Sequence, residues 1–272
     1  MDKTGQTQVI GIASGKGGVG KTTVSVNLAV ALQALGKRVM LFDADMGLAN
    51  AQIAMGCRCP YNLSDFLSGD KTLKEIIVTT RQGVRLVPGS SGRQEMAALD
   101  DMGAARIVQA FSSLEESVDY LIVDMAAGIS PSVLSFMAAC NRRFVVVRDD
   151  PSSIADAYGT IKVMIQDYGL DEIYLIPNGV GSAQEGFQLF ERINKVCARF
   201  LNRSIRYLDS IENDEMILMA HKKYQPVLEF APTSAASRDF RRLAKVTAQL
   251  PPDLEASGGL QFFVERWVKT IS

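Results

Sequence analysis

The feature that most constrains this 272-residue chain is Gly15-Lys16-Gly17-Gly18-Val19-Gly20-Lys21-Thr22. It lies between a short apolar run, Val9 to Ala13, and a stretch of helical spacing, Thr22 to Leu35, that Gly36 stops. The string fits G-x-x-x-x-G-K-[ST], and the strand before it and the helix after it separate that pattern from a chance glycine-rich turn. Glycines let the backbone wrap closely, so that the N–H groups of Gly17, Gly18, Val19, Gly20, Lys21, Thr22 and Thr23 can converge on phosphate oxygens. The helix behind the loop aims its positive end at the same anion. Lys21 is then placed to neutralise the β- and γ-phosphates, and the Thr22 hydroxyl to ligate Mg²⁺.

The rest of the chain alternates compact apolar strands with helical stretches. Arg38 to Phe42, Val84 to Val87, Tyr120 to Val123, Phe144 to Val147 and Ile173 to Ile176 read as strands. Gly103 to Leu114, Ser132 to Ala139, Ile154 to Tyr168 and Ala183 to Phe200 read as helices. The strands lack polar alternation, as expected when both faces are covered. Right-handed βαβ crossovers then predict a three-layer α/β fold, a mostly parallel central sheet flanked by helices. A net charge of −1 argues against a protein coated in basic charge, though not against a local basic patch.

No apolar run approaches the roughly 18 residues of a membrane span. No secretory signal precedes the first strand, so a cytoplasmic setting with reduced thiols is expected for Cys57, Cys59, Cys140 and Cys197. Cys57 and Cys59 form a C-x-C pair, short of the C-x-x-C spacing and extra ligands of zinc or iron–sulfur sites, and read as small half-buried residues. His221, the only histidine, has no nucleophile paired with it in sequence and reads as structural.

Two strand ends carry acids. Asp43-Ala44-Asp45 closes the second strand, and Leu121-Ile122-Val123 runs into Asp124. A carboxylate near a γ-phosphate can orient water for in-line attack, and one at a strand end can hold Mg²⁺. A third strand ends in Ile176-Pro177-Asn178, whose amide can both donate to and accept from a base edge.

Lys16 to Thr23, K-G-G-V-G-K-T-T, resembles the deviant Walker A signature of the MinD/ParA group of P-loop ATPases. The strings Gly47 to Asn50, Val87 to Gly92, Asp124 to Ile129, Ile154 to Tyr158, Gln184-Glu185-Gly186 and Phe262 to Arg266 are similar to those of its FlhG/FleN branch, regulators of flagellar number. The resemblance covers nearly the whole chain. It implies an ATPase switch in which Lys16 reaches across an ATP-bound homodimer and Asp45 positions the attacking water near the metal. It further implies that Thr22, Asp45 and Asp124 hold Mg²⁺, that Asn178 contacts adenine, and that Asp150 takes part in nucleotide binding by reaching across the dimer. Residues 47–50 and 125–128 would be the switch segments. The chain departs from the pattern at Met125, where relatives carry a small or polar residue, and at Glu212, where a proline is frequent beside the base. Asp150, in Asp-Pro-Ser-Ser, is one methylene shorter than the glutamate of the family's E-P-T-S.

The implied partners are a FleQ-like transcription activator or an FlhF-type GTPase with flagellar basal-body proteins. Met1 to Gln8 lacks the D-Q-A-type segment that stimulates the GTPase, which favours the activator. Two alternatives are an ATP-gated anti-activator with negligible turnover and a DNA-partition ATPase. Suitably placed cluster cysteines for electron transfer are lacking.

Residues 1–250 are expected to form the ATPase domain, and 251–272 a hinge with a C-terminal amphipathic helix. In that segment Leu260, Phe263, Val264, Trp267, Val268 and Ile271 would share one stripe, with Phe262 off it. With Glu265 nearly cancelling Arg266 and Lys269, membrane attachment through 259–272 would rest on apolar area, giving a cytoplasmic protein peripheral at the inner membrane or cell pole. The alternative is that the stripe packs on the body. Arg238, Arg241, Arg242 and Lys245 also follow helical spacing and read as a solvated face or as a contact for DNA or an acidic partner.

Overall fold

The computed structural model describes residues 7–47, 49–90, 101–114, 117–251 and 261–263. Among these the strands are β1 (Gln8–Ala13), β2 (Val39–Ala44), β3 (Val78–Thr79), β4 (Arg85–Val87), β5 (Tyr120–Met125), β6 (Arg142–Val147), β7 (Ile173–Val180), β8 (Arg206–Tyr207) and β9 (Ile211–Glu212). They form one sheet in the order β3-β4-β2-β5-β1-β6-β7-β8, with β9 beside β7. Every pairing is parallel except β3 with β4.

The longer helices are α1 (Lys21–Ala34), α5 (Asp101–Ser112), α6 (Pro131–Ala138), α7 (Pro151–Gln166), α8 (Ala183–Leu201), α9 (Glu215–Lys222) and α11 (Ala235–Gln249). Short turns of helix are α2 (Ala51–Ala54), α3 (Leu63–Leu67), α4 (Leu73–Ile76) and α10 (Val227–Phe230). No helix of the described residues is long and apolar enough to cross a membrane.

Alternate strand residues point to opposite faces, and each face has its own core. Val9, Met40, Phe42, Leu121 and Val123 join Phe111 of α5 and Phe136 of α6 on one side. Ile10, Ile12, Leu41 and Ile122 join Leu28 and Leu32 of α1 and Phe240 and Leu243 of α11 on the other. Strands buried on both sides explain the near-continuous apolar runs in the sequence. The short strands β3, β8 and β9 and the one-turn helices escaped the sequence reading because two to five residues are too few to show a period.

β1 is the pivot of this topology. Its neighbours are β5 on one side and β6 on the other, so the chain leaves it in opposite directions. A crevice opens at the carboxyl ends of the strands at such a switch point, and ligands of open α/β sheets bind there.

The segment after α11 is tied to the body. Arg142 of β6 donates to the carbonyl of Pro251 and, at 2.6 Å, to Gln8 Oε1. Phe262 and Phe263 are 3% and 2% exposed. Their rings meet Phe111 edge-on, with centroids 5.1 and 6.0 Å away, and Phe262 also stacks near Phe136. The expected helix does not run through Gln261–Phe263, which form a turn with φ of 62° at Phe263. That turn lets two successive rings enter one aromatic pocket, which a helix would have sent 100° apart. Residues 264–272, which carry the rest of the expected stripe, lie outside the described residues.

The four basic residues of α11 do not form one free patch. Arg238 pairs with Glu212 at 3.1 Å and Asp239 at 3.2 Å, and Arg242 with Asp209 at 2.7 Å and Asp239 at 2.8 Å. Arg241 donates to the Pro232 carbonyl at 2.6 Å. Acids distant in sequence neutralise much of the stripe, which the sequence pattern could not show.

Candidate nucleotide site

The glycine-rich loop rises from the end of β1 and turns into α1 at Gly20, whose φ of 91° is left-handed. Gly20 caps α1 without a side-chain hydrogen bond, so the first-turn amides have no side-chain acceptor there. A Cβ on Gly20 would come within 2.3 Å of Asn178 Nδ2, whereas Gly17 and Gly18 open onto space. Gly15 is required for another reason. Its Cβ would meet the backbone oxygen of Asp156 at 2.2 Å, so α7 packs directly against the loop.

Lys21 and Asp124 meet beneath the loop. Lys21 Nζ stands 3.4 Å from Asp124 Oδ1, and both side chains are buried. Ser25, one turn along α1, donates to the same oxygen at 2.9 Å. The other oxygen, Asp124 Oδ2, is buried and has no hydrogen-bond partner. An unmatched buried carboxylate oxygen is costly, and one on a carboxylate held 3.4 Å from the lysine of the phosphate loop suits a hydrated divalent cation. Together with the amide-lined loop, the residues present suit a nucleotide carrying Mg²⁺.

The second acidic strand end lies alongside. Asp43 is paired in register with Asp124 across β2 and β5 and is almost wholly buried. Burial, and then the charge of Asp124, push the Asp43 carboxyl up to about 7, against the lowering effect of two amides. Those amides belong to Ala51, which donates to Oδ2 at 2.9 Å, and Asp45, which donates to Oδ1 at 3.2 Å. Asp43 therefore clasps both ends of the segment that carries Asp45 and Asn50. Asp45 in turn accepts from the Gly47 amide at 3.2 Å and lines the cleft. The sequence reading gave Asp43 no role; the doubled acid of D-x-D was the available signal.

A cleft of about 550 Å³ covers the loop, and its lining includes Lys16, Lys21, Thr22, Asp45, Ala127 and His221. His221 is a second missed residue. It comes from α9, nearly 200 positions away, and its Nε2 lies 3.0 Å from Thr23 Oγ1. Burial lowers its pKa, which favours the neutral ring.

Lys16 does not point into the cleft alone. Its Nζ donates to Ser152 Oγ at 2.6 Å and stands 3.7 Å from Asp150 Oδ1. Asp150 caps α7 by accepting from the Ser153 amide at 2.9 Å, and that bond holds its carboxyl below the ordinary range. Asn178 is buried, and its amide donates to the Val19 carbonyl at 2.7 Å. It thus braces the loop through the Val19 carbonyl. Glu212, which pairs with Val180 in the β7–β9 register while Ile211 faces Asn178, is engaged by Arg238. Met125 is fully buried in the core under α6, so its departure from the usual residue alters packing rather than a partner surface.

A family model described as an AAA domain matches residues 7–167. Over 262 residues the chain is 44% identical to the antiactivator FleN of Pseudomonas aeruginosa, covering 96% of this chain and 94% of that protein. The chain belongs to the MinD/ParA family of P-loop ATPases. It is also 34% identical to the flagellum site-determining protein YlxH of Helicobacter pylori, over 99% of this chain and 92% of that one. The septum site-determining protein MinD of Pyrococcus horikoshii, solved with Mg-ADP, superposes with a TM-score of 0.75 at 26% identity, covering 90% of this chain and 97% of that one. The MinD/ParA architecture accounts for the sheet order and for the cleft at the switch point.

Proposed function

We propose that this chain is an ATP-driven switch that regulates flagellar number or placement. The carrying observation is the amide-lined loop with Lys21 held against Asp124, whose second oxygen is unmatched. Mg²⁺, when bound, would neutralise phosphate charge and hold the nucleotide in line. Thr22, Asp45 and Asp124 are the residues assigned to hold it. Gly17 to Thr23 bind the phosphates through their amides, Lys21 balances the terminal charge, and Asn178 reads the base while bracing Val19. Asp45 orients water for attack on the γ-phosphate.

Lys16 is assigned to the nucleotide of a second copy. In the free chain it rests on Ser152 and Asp150, so joining two copies exchanges an internal contact for phosphate. The ATP-bound homodimer would then engage a FleQ-like transcription activator, or an FlhF-type GTPase with basal-body proteins, and hydrolysis would reset it. The likeness to an antiactivator supports the activator as partner, and supports a second reading in which ATP occupancy gates binding with little turnover. The paired arginines of α11 weigh against a DNA-partition role.

Residues 1–250 are assigned to the ATPase body and 251–272 to a tail that nucleotide-driven changes release toward a membrane surface from a cytoplasmic protein. The docking of Phe262 and Phe263 beside α6, which follows the 125–128 segment, supports that coupling.

Light scattering with Mg-ATP tests the switch. The wild type should dimerise, Lys21→Ala should stay monomeric, and Asp45→Ala should hold the dimer longer. A monomer under every nucleotide condition overturns the mechanism. Phosphate release with and without the activator separates a hydrolytic switch from an occupancy gate.

A further inference from the structure

The C-x-C pair sits where its chemistry would matter. Cys57 and Cys59 follow α2 directly, and their Sγ atoms are 3.9 Å apart. Both are half-buried, while Gly56, Arg58 and Pro60 around them are exposed. Cys140 is buried under α6 and Cys197 on α8, so among the four cysteines only this pair combines proximity with access. A thiol contact of this length is well short of a covalent bond of about 2.05 Å, yet within reach of a small turn adjustment.

The two thiols are not equivalent. The hydrogen bond from Cys59 lowers the Cys57 pKa, while the same bond and burial raise that of Cys59. Cys57 is therefore the sulfur that ionises first and attacks. The turn that holds them is coupled to the cleft. The Gln52 carbonyl accepts from the Cys57 amide at 3.1 Å and from Cys57 Sγ at 3.7 Å. Ile53 and Ala54, the next residues of α2, line the cleft, and the Ala51 amide is held by Asp43.

We propose that Cys57 and Cys59 are a reversible thiol–disulfide pair, oxidised by a low-molecular-weight disulfide of the glutathione class, whose closure reshapes the α2 wall of the nucleotide cleft. The Cys57 thiolate attacks one sulfur of glutathione disulfide, forming a mixed disulfide and releasing one glutathione thiolate. The Cys59 sulfur, giving up its proton, then attacks Cys57 Sγ and expels the second. Two thiols become one S–S bond, glutathione disulfide becomes two glutathione molecules, and the two cysteine protons end on them. Exposed Arg58 attracts the anionic oxidant. A bond closing so small a ring is strained and readily reduced, so the pair closes only under an oxidising glutathione ratio and reopens when that ratio falls. Closure draws Cys57 away from the Gln52 carbonyl and frees the end of α2.

The thiol chemistry stands by itself; only its effect on the cleft rests on the ATP-binding reading above. The full-length protein is incubated with glutathione disulfide and examined by intact mass, peptide mapping and ATP titration. The wild type should lose two hydrogens, with the link mapped to Cys57–Cys59, and dithiothreitol should restore it. C59S should stop at a single glutathione adduct on Cys57. The Kd for ATP should rise about fivefold on oxidation, the lower end for coupled sites, and C57S treated identically should keep the reduced value. Free thiols at both positions after treatment, or first reaction at Cys59, Cys140 or Cys197, overturn the pair. An unchanged Kd with the bond formed overturns the coupling. Reduced protein that binds no ATP instead sinks the nucleotide reading and leaves the mass result to decide the pair.

Discussion

Replacing Asp43 by asparagine isolates a single buried proton. In the folded chain burial and Asp124 push this carboxyl from its ordinary 3.8 to about 7. Between those two pH values the folded state holds a proton that the unfolded state has lost, so raising the pH removes stability. The contribution is complete below the unfolded value and gone above the folded one. A rise of about three pKa units at about 1.36 kcal/mol each gives a total near 4 kcal/mol, or about 1.4 kcal/mol for each pH unit between about 5 and 7. Asp43→Asn keeps one acceptor oxygen and presents an amide to the second N–H, a pH-independent cost of about 1–3 kcal/mol. Urea unfolding of both proteins from pH 5 to 8, without nucleotide or divalent cation, gives the comparison. The stability difference, wild type minus variant, should fall steadily up to about pH 7 and flatten beyond. A difference that is flat or rises across pH 5–7 would refute a raised, protonated Asp43.

Three further outcomes follow from the geometry. Lys21→Ala should abolish ATP binding in calorimetry and also lower stability by about 3–5 kcal/mol, because Asp124 is left as an unpaired buried charge. Asn178→Ala removes the donor to a buried loop carbonyl, so unfolding should show a loss of about 1–3 kcal/mol along with weaker ATP binding. Phe111→Ala should cost about 3–5 kcal/mol in thermal or denaturant unfolding and should speed proteolysis beyond Pro251, since Phe262 and Phe263 lose their shared neighbour.

Much of this was legible in the sequence because it is local. Apolar runs without alternation gave the parallel sheet, and eight consecutive residues placed a glycine-rich loop between β1 and α1. What stayed hidden is what the fold assembles from afar. His221 meets Thr23 across 198 positions. The acids that neutralise Arg238 and Arg242 include Asp209 and Glu212, which no helical period relates to α11. Asn178 reads in sequence as a base contact, and the bond that the fold gives it is a brace to the Val19 carbonyl of the loop. The tail stripe was read from a period of 3.6, but packing two rings into one pocket overrode that period at Phe262 and Phe263. Asp43 was hidden differently: next to Asp45 it looked redundant, and only its two amide bonds distinguish a clasp from a catalyst.

The docked Phe262–Phe263 turn has a practical consequence. Trp267, the chain's single tryptophan, lies four residues beyond Phe263. Its emission carries no background from any other indole, so the native protein needs no dye to register whether its end is seated or free. If nucleotide releases the tail as proposed, a titration with nucleotide or lipid vesicles should shift the emission wavelength of that one chromophore.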